Sequence, residues 1–396
     1  MLRSRSDLEG YKLWLSVTSR AAGNVTDCQR SEELLMPRPK RILLVEPPKS
    51  KQYYTRYPPL GLLKLARLHR NNGHVVRLAK GLVDCNFKPD IIYVTSLFTY
   101  AYEAVHKTIQ FYSEKYTKAN ITVGGIYASL CSEHLFEVFG ERIAIHKGLF
   151  PGADDVLPDY SLVPDNKTSI LFASRGCINH CNYCSVSKLE PKFFARPTIR
   201  HLVYPGHTAI VFWDNNFLAS PYCFDILEEL EGLSLEVDFN QGLDARLLTE
   251  DVVKRLSLLK IPVVRLAYDS LSARPKLSDS IDLLKLHGFR GRRIVVYCLF
   301  NSEDRNDTPQ TFLDRIKDLM DWGVVAYPMR YQSLTPTKKD TYVSDYWEAQ
   351  QLDMVARARR VVGYGGAFPP YTGLKRKFMD AATFEEAFRL RAPNRQ

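Results

Sequence analysis

At 396 residues, with 45% hydrophobic and 25% charged residues, the chain has room for two domains and a core that needs no disulfide staples. No apolar run is long enough to span a bilayer, which argues against membrane insertion and leaves no membrane partner expected. The net charge of +10 admits a polynucleotide partner, but the basic clusters at 38–41, 290–293 and 375–377 are short and scattered, so nucleic acid stays open without being favoured.

Residues 1–36 mix acids and bases without an apolar h-region, and read as a disordered leader rather than a signal peptide. With no export signal the expected location is cytoplasmic, where the eight cysteines are reduced thiols and a cluster of them is a ligand set or a catalyst.

From 37 to 150 strand and helix signals alternate. "RILLVEPP" is an apolar run closed by prolines, and "LGLLKLARLHRNNG" places Leu60, Leu62, Leu63, Leu65 and Leu68 at helical spacing before Gly73. "HVVRLA", "DIIYVTSLF", a helix from about Tyr100 to Tyr116, "ITVGG" and "RIAIHKG" follow. This order predicts a doubly wound parallel sheet, whose ligand site lies beyond the carboxyl ends of its strands. Thr95, Ser96, Gly124 and Gly125 fall there, and glycines let backbone approach a ligand closely.

The stretch 151–167, rich in Pro, Asp and Gly, reads as a linker. Over 168–335 a second βα series follows, with strands in "SILFAS", "AIVFWDN", "LEVDFNQ", "PVVRLAYDS", "RIVVYCLFN" and "VVAYPMRYQ". Thr249 and Thr308-Pro309 open helices between them. Six such units curl into a partial TIM-like barrel with its chemistry at the C-terminal strand ends. Residues 336–396 hold one clear helix, "DYWEAQQLDMVARARRVVG", and a basic tail. By strand parity Asp238 shares a face with Asn240, and Arg265 with Asp269; Asp214, Asn215, Asn301 and Arg330 sit at equivalent ends. They either pair with one another or line a site, and their recurrence favours the site.

Within "SRGCINHCNYCSV" three cysteines, Cys177, Cys181 and Cys184, stand in a Cys-x-x-x-Cys-x-x-Cys array. One reading is three buried thiols along a helix, but the Asn- and His-rich segment suits a loop better. Another is zinc with His180 or His201 as fourth ligand, although no second Cys-x-x-Cys exists to close the site. A [4Fe–4S] cube takes four ligands, so three cysteines leave one iron open for a catalytic ligand, and this reading explains the number three. Nothing in the remaining cysteines (28, 85, 131, 223, 298) suggests more than ordinary packing.

This array, with Tyr183 before its last cysteine, resembles the signature of the radical S-adenosylmethionine superfamily, and the likeness extends from about 168 to 333. The resemblance implies that Cys177, Cys181 and Cys184 hold the cluster and that S-adenosylmethionine binds the open iron, yielding a 5′-deoxyadenosyl radical. It places Tyr183 near the adenine and Asp214 and Asn215 near the methionyl amine, and sets Asp269-Ser270 where the family usually has Glu-Ser. Arg265 is assigned by parity to the methionyl carboxylate. "YPPLGLLKLARLHRNNGHVVRL" and "VGGIYASL" resemble the cobalamin-binding domain often fused ahead of such barrels, making Thr95, Ser96, Gly124 and Gly125 candidate cobalamin contacts. No Asp-x-His-x-x-Gly motif supplies a histidine to cobalt, and residues 82–89 are too few for the usual helix there.

The expected activity is therefore radical chemistry, with methylation of an unactivated carbon if cobalamin is bound. The alternatives are a tRNA- or RNA-modifying enzyme of the methylthiolating kind and a non-catalytic metal-binding protein. A reducing partner of flavodoxin or ferredoxin type is implied, and the substrate is unknown.

Overall fold

Val45 and its neighbours Ile42, Leu43 and Leu44 are all completely buried, because β1 (Arg41–Glu46) is an interior strand of a parallel sheet covered on both faces. A computed structural model describes residues 38–49, 56–335, 337–362 and 372–390; the expected leader and the end of the basic tail lie outside them. β2 (Val75–Lys80), β3 (Ile91–Ser96), β4 (Asn120–Gly125) and β5 (Ala144–Ile145) complete the sheet in the order β2-β1-β3-β4-β5. Alternate side chains of β1 feed two cores: Ile42 and Leu44 pack on Leu62, Leu65 and Ala66 of the helix Leu60–Asn71. On the other face Leu43 and Val45 meet Val105, Ile109 and Tyr112 of the helix Tyr102–Lys115.

The step from β2 to β3 contains no helix. Phe87 fills its place, with the Arg77 guanidinium 4.7 Å from the ring centroid, and Tyr112 donates its hydroxyl to the Gly81 carbonyl at 3.0 Å.

All six strands of the second series form, each parallel to its neighbour, as two three-stranded sheets. β6 (Thr168–Leu171) leads to β7 (Ser174–Arg175) and β8 (Phe194–Ala195), a short antiparallel pair that brackets the cysteine segment. β9 (Ala209–Phe212) pairs β6 on one side and β10 (Glu236–Phe239) on the other. β11 (Val264–Ala267), β12 (Ile294–Phe300) and β13 (Val325–Arg330) make the second sheet. The seam between β10 and β11 is bridged by the Val237 N–H on the Lys260 carbonyl at 2.9 Å and the Leu243 N–H on the Arg265 carbonyl at 2.8 Å. Thr249 accepts from the Val252 N–H, and Thr308 with Thr311 forms a reciprocal cap ahead of Pro309.

The segment read as a linker is packed in place. Asp159 is 1% exposed and ion-paired to Arg70 at 2.6 Å, and its N–H donates to the Leu63 carbonyl at 3.0 Å. Tyr160 sits on Leu63, while Leu60 touches Ile170 and Val211, so the helix Leu60–Asn71 belongs to both sheets' surroundings. The described residues from Pro39 onward belong to one compact unit. At the C-terminal end the helix Ala349–Val362 is joined by the short helices Thr372–Asp380 and Phe384–Phe388, whose Phe378, Phe384 and Phe388 enter the main core. No helix among the described residues is long and apolar enough to cross a membrane.

Candidate functional site

Three side chains hold the root of the cysteine loop. Asp214, just past β9, is 2% exposed and accepts from the Ala173 N–H at 3.0 Å, the Ser174 N–H, and the Ser174 hydroxyl at 2.7 Å. Burial pushes its carboxyl up to about 6, against those hydrogen bonds. Glu190, at the far end of the loop, accepts from the Gly176 N–H at 2.8 Å and from Asn215 Nδ2 at 3.2 Å, and pairs with Arg175 Nη1 at 3.2 Å. Arg175 in turn pairs through Nε with Asp154 at 2.8 Å, and Asp154 is bonded to Lys64 of the first lobe. A buried chain of alternating charge thus runs from the helix Leu60–Asn71 to the loop. Gly176 has φ +73°, and a Cβ there would stand 2.4 Å from the Lys192 carbonyl oxygen, so only glycine fits.

Beyond that root Cys177, Cys181 and Cys184 are half-buried and unbridged. The Asn179 N–H points at Cys177 Sγ, 3.4 Å away, and the Cys184 N–H closes a turn on the Cys181 carbonyl at 3.0 Å. Burial raises the Cys184 thiol, and the nearby Cys181 and Cys177 sulfurs add to it. Among the described residues no three His, Cys, Asp or Glu side chains converge on one point. Three thiols on one loop are a donor set of the kind that holds an iron–sulfur cluster, with one iron left to another ligand.

Two carboxylates clasp the loop from the strand ends. Tyr183 donates its hydroxyl to Asp269 at 3.0 Å, and the other Asp269 oxygen accepts from the Leu299 N–H at 3.0 Å. Ser270 caps the turn Leu271–Ala273. On the opposite side Asp244, after β10, accepts from Asn179 Nδ2 at 3.3 Å and from Asn216 Nδ2 at 3.1 Å. The same carboxylate takes Arg246 Nε at 2.9 Å and Nη2 at 2.7 Å.

Arg265 is bound bidentately to Asp238, with Arg56 Nη2 3.8 Å from the same carboxylate. Asn301 and Arg330 point elsewhere. Both donate to the Tyr342 carbonyl at 2.9 Å, anchoring the segment that leads to the C-terminal helices.

At the strand ends of the first sheet lies a cavity of about 300 Å³, walled by Thr95, Gly124, Gly125 and His146 and, from the cysteine side, by Arg175 and Trp213. Ser96 is buried beneath it, with its hydroxyl donating to the Gly124 carbonyl at 2.8 Å and accepting from the Ala128 N–H at 3.0 Å.

No family model matches the chain, and no curated protein matches its sequence significantly. Solved structures do match its fold. One is the cobalamin-dependent S-adenosylmethionine radical enzyme OxsB with aqua-cobalamin and S-adenosylmethionine bound, at a TM-score of 0.50 and 15% identity, covering 72% of this chain and 52% of that one. Another is OxsB with aqua-cobalamin bound, at 0.50 and 14% identity, covering 76% and 55%. The chain shares the fold of these structures over about three quarters of its own length. It spans about half the length of those structures.

Within this fold the cysteines, Tyr183, Asp269, Asp214 and Asn215 gather around one loop, while Arg265 meets Asp238 nearby. Thr95, Gly124 and Gly125 gather at the separate cavity. Asp244, Arg246, Glu190 and Arg175 were missed by the sequence reading. The polar run "NQGLDAR" and the Glu just after the cysteine segment were the only signals that could have pointed to them.

Proposed function

We propose that the chain is a radical S-adenosylmethionine enzyme in which Cys177, Cys181 and Cys184 hold a [4Fe–4S] cluster. The observation that carries this is the seating of the three-cysteine loop at the C-terminal end of the first parallel strand, tied to two later strand ends by Asp214 and Asp269. Such a cluster, with S-adenosylmethionine on its open iron, supplies a 5′-deoxyadenosyl radical that takes hydrogen from a substrate. The chain's own work is to fix the thiols: Asp214 and Glu190 hold the loop's ends, and Tyr183 and Asn179 hold its middle. The parallel strand ends of the second series provide the rim on which those groups stand.

The first sheet supports a cobalamin contact, since its cavity is largely apolar and glycine-walled and faces the cysteine lobe. Its volume of about 300 Å³ suits one part of such a molecule rather than the whole macrocycle. Thr95, Gly124 and Gly125 would hold that part. With cobalamin bound, the reaction that fits is methylation of an unactivated carbon.

The test is anaerobic reconstitution with iron and sulfide, then dithionite and S-adenosylmethionine, with 5′-deoxyadenosine measured by mass spectrometry. Deoxyadenosine that disappears in Cys181→Ala supports the reading. A protein that takes up stoichiometric zinc and no iron overturns it.

A further inference from the structure

The geometry points to Arg246 as a fixed cation that raises the reduction potential of the cluster, with Asp244 as the residue that positions it. The inference rests on the cluster reading above and concerns two residues to which the superfamily resemblance assigned no role. Arg246 follows β10 by a short loop, and its guanidinium lies bidentate on Asp244, Nε to Oδ1 at 2.9 Å and Nη2 to Oδ2 at 2.7 Å. The carboxylate cannot turn away, because Asn216 Nδ2 holds it from the end of β9 at 3.1 Å. Asn179 Nδ2 holds it from the cysteine loop at 3.3 Å, and the backbone N–H of that same Asn179 points at Cys177 Sγ at 3.4 Å.

One hydrogen-bonded path therefore runs from the guanidinium through Asp244 and Asn179 to the first cysteine. Asp244 is 11% exposed at its side chain, but Arg246 is 62% exposed, so the anion is sunk into the scaffold and the cation stands outward on it. Asp244 by hydrogen bonding, then the Cys181 and Cys177 sulfurs electrostatically, raise the Arg246 guanidinium above its usual value.

Reduction of a thiolate-bound cluster by one electron from a flavodoxin- or ferredoxin-type donor adds one negative charge. A cation held close by favours that state, as does an N–H directed at a ligand sulfur. The exposure of Arg246 means that water and salt screen part of the effect.

Two substitutions of opposite charge separate this from a structural role. The cluster-loaded protein, its Arg246→Gln and Arg246→Lys variants and its Asp244→Asn variant are titrated with dithionite against redox dyes, and the reduced cluster is read by its paramagnetic resonance signal. Arg246→Gln is expected to lower the ratio of reduced to oxidised cluster at a fixed potential about tenfold, which is 59 mV for a one-electron couple. Asp244→Asn leaves the cation without its counter-charge and raises that ratio, while Arg246→Lys stays near the parent. Both substitutions shifting the same way, or neither shifting, overturns the inference and leaves the cluster reading standing. A parent protein that takes up no iron overturns both.

Discussion

Tyr183 and Asp269 are 86 positions apart in the chain, and their hydrogen bond of 3.0 Å fastens the cysteine loop to the end of the fourth parallel strand. The short aspartate side chain suits this role. Its second oxygen is fixed by the Leu299 N–H from β12, so the carboxylate cannot swing out to follow the loop. Burial raises the Asp269 carboxyl, and the two hydrogen bonds oppose that shift by favouring the charged form.

Removing the phenol hydroxyl in Tyr183→Phe leaves Asp269 with one donor fewer and frees the loop between Cys181 and Cys184. A hydrogen bond to a charged group contributes about 1.5–3 kcal/mol when buried. Tyr183 is 38% exposed, so about 1 kcal/mol is expected here, or roughly fivefold more open loop. Alkylation of Cys181 and Cys184 in the metal-free protein, followed by peptide mass spectrometry, should accelerate by that factor. An unchanged rate would mean the loop is held elsewhere.

Asp214 sets a pH dependence whose sign follows from its burial. Its carboxyl, ordinarily near 3.8, is pushed up to about 6 in the folded protein, so the native state binds a proton that the unfolded chain has already released. Stability from this group is therefore complete below pH about 4 and is lost as pH rises through 6. The loss amounts to about 3 kcal/mol at 1.36 kcal/mol per pH unit. Urea unfolding of the metal-free protein against its Asp214→Asn variant should show the parent's relative stability falling by that order between pH 4 and 6.5. A flat difference would place the Asp214 carboxyl at its ordinary value.

Gly176→Ala tests the loop's root. The left-handed backbone and a Cβ 2.4 Å from the Lys192 carbonyl oxygen cannot coexist, so either the loop or the strand beside it must move. The variant is expected to fold its first sheet normally, with hydrogen exchange there unchanged, yet lose protection at Ser174 and Arg175 and take up less than a tenth of the parent's iron on reconstitution. Full iron uptake would show that the root is more pliant than its contacts imply.

The strands of the two parallel βα series were legible because each is a short apolar run between turn residues, and the helix starts at Thr249 and Thr308 because a cap is a local signal. The cysteine loop was legible from its Asn and His content taken together with the cysteine spacing, which alone also fits a helix. What parity gave for Arg265 was a face and not a partner: the adjacency of β10 and β11 delivers Asp238 to it, and no local pattern encodes adjacency. Asn301 and Arg330 read as site residues for the same reason, although they hold the backbone of Tyr342. The chain Lys64–Asp154–Arg175–Glu190 joins four separate segments and was invisible until the fold assembled them. The Pro- and Asp-rich stretch 151–167 read as a linker because its composition is that of a loop, while its order comes from Arg70 and Leu63 elsewhere.

The neighbouring glycines Gly124 and Gly125 separate a structural need from a ligand's need. At Gly125 φ is +107° and a Cβ would lie 2.2 Å from the Ser96 carbonyl oxygen, so Gly125→Ala must distort β3 or β4 and should lower the thermal midpoint by several degrees. At Gly124 the nearest atom to a Cβ is His146 Cβ at 3.8 Å, an ordinary contact, so Gly124→Ala should melt within a degree or two of the parent. Its methyl group nevertheless stands at the wall of the cavity. If cobalamin lodges there, aqua-cobalamin titration followed by visible absorbance should show Gly124→Ala binding at least tenfold more weakly with its stability intact. Equal affinity in both proteins would move the ligand away from these strand ends. The cavity would then serve only the packing between the first sheet and the cysteine loop's ion-paired root.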